Sequence, residues 1–579
     1  MPVKTSKKNG PKTDMTAGTG KSAAKAGPAA GTTKSGAKSG SAAKITKSAA
    51  GTGQSNVTTA AGVSAAEPAP AATEVQNPLP AEKPSPAASE KTVAKTGGSG
   101  DGRLRILIVS PEVNPYSKSG GLGDVAGSLP KALRERGVDA RVVLPRYYGV
   151  NKDNLRGLKY IDSFLIHLSW RKQSASVYSF DGEGGVPVYL IENDYYFGRD
   201  GMYGYNDDYE RFAFFSKAAV EFLSMADFRP DVIHFNDWQT GLGPVYLRDV
   251  YKGFTFYKDM KSLFTIHNLR YQGVFGREIL WSVDLNDGYF TNGALEFYGK
   301  VSYMKGGIAY SDAVSTVSET YAREISGGLF DYGMAGLLRS RGDRMFGITN
   351  GIDAAKNDPA ADPRIFERFS AEAPEGKKVN KARLQEQLGL PARDVPMIAI
   401  ISRLVDQKGL DLVAVAMDEL IGKDVQLAVL GTGDGRYENL FRHYAWRAPD
   451  KVSANIFFSD ELAQRLYAAS DMFLMPSLFE PCGLGQLFAM RYGSVPIVRM
   501  TGGLADTVAN YDPATGRGTG FVFRDYDARG MMWAVNEALK LYGDRDEWAR
   551  LVKNCMESDF SWDKSAERYI ELYGKMKGM

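Results

Sequence analysis

Two cysteines, Cys482 and Cys555, are all that 579 residues contain. A disulfide framework is thereby excluded, and a reducing, cytoplasmic compartment is expected. The four histidines, His167, His234, His267 and His443, belong to no HExxH, HxxE or paired-cysteine pattern. Neither a metal site nor a cofactor is therefore expected. No apolar run approaches the roughly 18 residues that cross a bilayer, so no membrane partner is expected. The N-terminus also lacks the roughly 7–15-residue apolar stretch of a secretory signal.

Aromatic residues are absent from positions 1–101, and so is arginine. This stretch is built from Ala, Gly, Ser, Thr, Lys and Pro and cannot bury enough apolar surface to offset its backbone entropy. It reads as a disordered low-complexity tail. Loose attachment through its lysines and an organelle transit peptide stay open as alternatives, and the missing arginine argues against the second. The first hundred residues carry a net charge of +8, which leaves −5 on the rest of a chain whose total is +3. A mildly acidic remainder gives no reason to expect nucleic acid as a partner.

From Arg103 onward apolar runs and helical patterns alternate. The runs at 104–110, 139–144, 186–191, 231–235, 261–266 and 313–317 read as strands of one parallel sheet. Those at 396–401, 425–430, 454–458, 471–475 and 495–498 read as strands of a second. Helical stretches lie between most of them, which predicts an α/β chain of two Rossmann-like domains around a cleft. The expected boundaries are 102–350 and 351–561, with 562–579 expected as a helix that crosses back to the first domain. A Pro-, Asp- and Lys-rich stretch near 350–394 joins the halves.

Ligands of open parallel sheets bind beyond the carboxyl ends of the strands, so the loops there are the candidates. After the first run comes KSGGLGDV, Lys118 to Val125. Gly120 and Gly121 let the backbone approach an anion at a helix N-terminus, and Lys118 adds charge; a mere tight turn is the other reading. The spacing is not GxGxxG, and GTGDGR at 431–436 does not match either, which argues against a dinucleotide dehydrogenase. After 396–401, Arg403 and Lys408 stand five residues apart, placed to neutralise one diphosphate. Glu480, in PSLFEPCGLGQL, can accept sugar hydroxyls or complement the helix dipole. Cys482 has no histidine near in sequence and reads as packing. A second glycine pair opens a helix at Thr501, Gly502 and Gly503. No GxSxG elbow supports a hydrolase.

In order along the chain stand SPEVNPYSKSGGLGDV (110–125), HFNDWQTGL (234–242), TIHNLRYQG (265–273), TVSETYAREI (316–325), TNGID (349–353), SRLVDQKGLDL (402–412), FEPCGLGQL (479–487) and TGGLADTV (501–508). Together they resemble the bacterial glycogen synthase and plant starch synthase family over about residues 103–577. The resemblance implies the GT-B fold and retaining transfer of glucose from ADP-glucose to the non-reducing end of an α-1,4-glucan such as glycogen. It further implies Lys118, His267, Arg403, Lys408 and Glu480 as catalytic residues. Glu112, Gly120, Gly121, Asp124, Asp237, Asn268, Cys482, Gly483, Thr501, Gly502 and Gly503 are implied in substrate binding. UDP-glucose as donor, and a catalytically silent glucan-binding relative, are the alternatives. The chain departs from the family pattern at Asn236 and Gln239, where histidines are common, and at Gly485, where Thr or Ile is common.

Overall fold

The computed structural model describes residues 102–150 and 155–578. The expected tail, 1–101, lies outside the described residues.

The first half contributes β1 (Arg105–Val109), β2 (Asp139–Pro145), β3 (Lys159–Leu168), β4 (Arg171–Asp181), β5 (Pro187–Glu192), β6 (Val232–Asn236), β7 (Lys261–Ile266), β8 (Val274–Phe275), β9 (Glu296–Phe297), β10 (Lys300–Ser302), β11 (Ala313–Thr316) and β12 (Met345–Gly347). Nine of them form one sheet in the order β12-β11-β7-β6-β1-β2-β5-β4-β3, in which β4 alone runs antiparallel to its neighbours. The second half contributes β13 (Met397–Ile401), β14 (Gln426–Leu430), β15 (Val452–Asn455), β16 (Met472–Met475), β17 (Val495–Arg499) and β18 (Phe521–Phe523). These make a fully parallel sheet in the order β15-β14-β13-β16-β17-β18.

Sequence dictates this arrangement through burial on both faces. The strands RILIV and MIAII are almost wholly buried, as strands sandwiched between helical layers must be. Each sheet carries its own hydrophobic core. The segment expected only to join the halves contains a helix, Gly376–Gln387, whose Leu384 packs with Ile365 and Phe369 in the second core. The helix Trp562–Lys577 returns to the first half, where Trp562, Tyr569, Tyr573 and Met576 enter that core.

Strand order reverses beside β1, where β6 lies on one side and β2 on the other. It reverses again beside β13, between β14 and β16. These two switch points open toward each other, and the loops that leave them line one cavity.

Candidate active site

The loop after β1 folds back over the first turn of the helix Gly121–Glu135. Asn114 donates its N–H to the Gly123 carbonyl at 2.9 Å, and a Cβ on Gly127 would stand 2.3 Å from the Asn114 carbonyl oxygen. Glycine is therefore required at 127 for the loop to lie this close. Glu112 is buried and accepts from the Ser119 N–H (2.6 Å), the Gly120 N–H (3.1 Å), the Ser119 hydroxyl (2.5 Å) and the Tyr203 hydroxyl (2.7 Å). Its carboxylate thus organises the glycine loop, and the Gly120 N–H is already committed to it. Lys118 pairs with Asp124 at 2.9 Å, and Asp124 also accepts from the Asn114 amide at 3.0 Å. Gly121 faces the second half, with its Cβ position 3.6 Å from Leu484 Cδ1.

The loops after β6 and β7 interlock beneath this one. Asp237 has a left-handed backbone, φ +57°, uncommon for a residue with a side chain. Its N–H donates to the Thr265 carbonyl at 3.0 Å, and its carboxylate accepts the His267 N–H at 2.7 Å. Burial pushes the Asp237 carboxyl up to about 7, against the opposing hydrogen bonds from the backbone of His267 and Asn268. In an unfolded chain this carboxyl ionises near 4. Between those two values the folded state holds the extra proton, so Asp237 costs stability as pH rises through that window. Asp237→Asn keeps the acceptor for the His267 N–H. We expect it to stabilise the protein by about 1–3 kcal/mol at pH 8 and by close to nothing near pH 4, read from denaturation midpoints at both values.

Burial drives His267 and His234 down to about 3, so both rings are neutral at physiological pH. Their surroundings differ. His234 sits between the Thr265 hydroxyl (2.5 Å) and the Tyr573 hydroxyl (2.8 Å) of the returning helix and does not reach the cavity. His267 lines the cavity and donates from Nε2 to the Asn236 amide oxygen at 2.9 Å.

From the second half, Gly409 takes a left-handed φ of +68°, and a Cβ there would lie 1.9 Å from the Pro476 carbonyl oxygen. That contact presses the loop after β13 against the loop after β16. It sets Lys408 Nζ 2.6 Å from Glu480 Oε2, an oxygen that also accepts from the Ser477 hydroxyl at 3.0 Å. Arg403 is exposed and reaches across the cleft to the Tyr271 hydroxyl at 3.2 Å, while Asn268 meets Gln407 at 3.4 Å. Burial pushes the Cys482 thiol up to about 12, which makes it a neutral packing group. Gly483, φ +73°, has no room for a Cβ beside the Gln486 amide.

Thirteen of the sixteen expected site residues therefore line a single cavity of about 860 Å³. Thr501, Gly502 and Gly503 do not. The Thr501 hydroxyl and the Gly502 N–H both donate to Glu324 of the first half at 3.0 Å. A Cβ on Gly502 would meet the Glu480 carbonyl oxygen at 1.9 Å, and one on Gly503 the Cys482 carbonyl oxygen at 2.1 Å. This glycine pair makes a packing contact that braces the Glu480 loop, where substrate binding was expected.

The cavity also holds residues that sequence reasoning missed. Phe457 and Phe458 follow β15, and Phe458 is 79% exposed at the rim on the side of the second sheet. The run 454–458 was expected to be strand, but β15 ends at Asn455, which frees both rings. Tyr203 and Tyr271 carry no local pattern that would have marked them.

Residues 105–340 match the starch synthase catalytic domain family, and residues 382–554 match the group 1 glycosyl transferases. The glycogen synthase of Clostridium novyi is 47% identical over 82% of this chain and 99% of its own length. That of Desulforudis audaxviator is 50% identical over 82% of this chain and 96% of its own. The chain belongs to the glycogen and starch synthase family. The catalytic domain of starch synthase IV from Arabidopsis thaliana, bound to ADP and acarbose, superposes with a TM-score of 0.78 at 34% identity, covering 82% of this chain and all of that one. The cavity described above is thus the interdomain cleft of a GT-B glycosyltransferase of this family.

Proposed function

We propose that the chain transfers glucose from ADP-glucose to the non-reducing end of an α-1,4-glucan, with retention of anomeric configuration. The observation that carries this is the convergence of Lys118, Arg403 and Lys408 from two switch points on one cavity that also offers Glu480 to sugar hydroxyls. The diphosphate lies against the glycine loop and the basic pair, and Glu480 with the backbone of Cys482 and Gly483 holds the glucose. As the C1–O bond breaks, its electron pair moves onto the departing phosphate oxygen, where Lys408 and Arg403 stabilise the growing charge. The acceptor hydroxyl attacks C1 from the same face and passes its proton to that phosphate oxygen.

No protein nucleophile enters this sequence, and the pairing of three cleft carboxylates supports that reading. Glu112 is engaged by the glycine loop and Asp124 by Lys118, while Glu480 accepts from Lys408 and Ser477 through Oε2 and keeps Oε1 for the sugar hydroxyls. The base of the nucleotide is assigned to Phe458, whose open ring face suits stacking. We expect Phe458→Ala to raise the KM for the donor roughly tenfold with little change in kcat, in initial-rate assays at saturating glycogen. The reaction is placed in the cytoplasm, a reading supported by two unpaired cysteines; among the described residues no helix is long and apolar enough to cross a membrane.

A donor screen with glycogen as acceptor is the direct test. Labelled glucose should enter glycogen from ADP-glucose; a strong preference for UDP-glucose would overturn the donor assignment. No incorporation from either donor would mark a silent glucan-binding protein.

A further inference from the structure

Asn236 ends the buried strand β6 and is itself only 2% exposed. Its amide nitrogen donates to two backbone carbonyls, those of Val109 and His234, each at 3.1 Å. Carbonyls only accept, so the NH2 group must face them and the amide oxygen must face His267. An inverted amide would set oxygen against both carbonyls and lose both of those hydrogen bonds. The His267 Nε2, 2.9 Å from that oxygen, must therefore carry a proton. With the ring held neutral by burial, Nδ1 carries none. Nδ1 has no hydrogen-bond partner among the described residues and is not sealed off from the cavity that His267 lines.

We infer that Asn236 is a positioning residue that locks His267 as the neutral Nε2–H tautomer, so that Nδ1 meets a substrate hydroxyl as a pure acceptor. This rests on the reading that the cavity binds a sugar. A histidine at 236 could turn either a donor or an acceptor toward His267 and could become charged, whereas the pinned amide can do neither. The other titratable groups around the ring do not undo the arrangement. Asp237 accepts the His267 backbone N–H, His234 is itself neutral, and Glu112 is saturated by the glycine loop. Lys408 and Glu480 neutralise each other across the cavity.

Asn236→Asp tests it. The new carboxylate beside Nε2 favours an imidazolium, which turns Nδ1 from acceptor into donor. The variant should gain an acid limb in kcat, falling about tenfold per pH unit below the new pKa and recovering at high pH. The wild type should show no such limb from His267 between pH 6 and 8. Nitrogen NMR of the histidine rings reads the tautomer directly, with His267→Gln used to assign the signal among four histidines. Protonated Nε2 and bare Nδ1 are expected in the wild type throughout that range. A protonated Nδ1 there, or an Asn236→Asp profile that superposes on the wild type, overturns the inference. If the variant does not fold, the wild-type ring signals decide alone. If the wild type transfers no glucose, the proposed function fails, and the ring signals still decide the tautomer.

Discussion

Lys408→Ala is expected to lower kcat with ADP-glucose by about 100- to 1,000-fold, the usual cost of losing one preorganised charge at a developing anion. Lys408 is held by Glu480 at 2.6 Å, with both side chains largely buried, so it is charged and aimed before substrate arrives. The same pairing adds a second effect. Truncating Lys408 strands a buried carboxylate, which destabilises a protein by about 3–5 kcal/mol when nothing compensates. The two effects separate in the double variant Lys408→Ala, Glu480→Gln. Neutralising Glu480 should restore most of the thermal midpoint and none of the kcat. Recovery of both would show that Lys408 only offsets Glu480, and leaving-group stabilisation would have to come from Lys118 and Arg403.

Gly502→Ala is expected to destabilise the protein by about 3 kcal/mol and to lower kcat at least tenfold. A residue with a side chain at φ +45° costs roughly 1–2 kcal/mol. Forcing a methyl group to within 1.9 Å of the Glu480 carbonyl oxygen adds about 1–3 more, because the backbone has to move. The segment displaced is the one that presents Glu480, so stability and turnover fall together. Gly422→Ala is the control. Gly422 ends the helix Leu410–Gly422 with no atom near its Cβ position, and its substitution should shift the midpoint by less than about 1 kcal/mol.

Buried parallel strands were the most legible part of the sequence, because both faces are apolar and the run is continuous. The strands β1, β7 and β13 lie within a residue of their expected positions. The hairpin β3–β4 escaped notice because much of it is exposed and its polar residues break any run. The error at β15 had the opposite cause. Phe457 and Phe458 continue an apolar run past the end of the strand, since a rim residue can be apolar for contact with something other than the core. At the site, loop positions were legible but the employment of each group was not. A glycine pair opening a helix has two physical uses, approach to an anion and approach to another backbone. Only the geometry separates Gly120–Gly121, which line the cleft, from Gly502–Gly503, which press on the Glu480 loop. Glu112 shows the same limit, because nothing local reveals that its carboxylate folds back onto Ser119 and Gly120.

The returning helix Trp562–Lys577 gives synthesis a fixed order. His234 leaves the ribosome 339 residues before Tyr573, the hydroxyl that completes its pair. Until then the first half must wait with part of its core uncovered, while the second half already has every strand of its sheet in hand. Contacts so distant in sequence form late. The half of the molecule translated first is therefore the half that finishes folding last, and a nascent chain stalled short of Trp562 exposes apolar surface to whatever chaperones attend it.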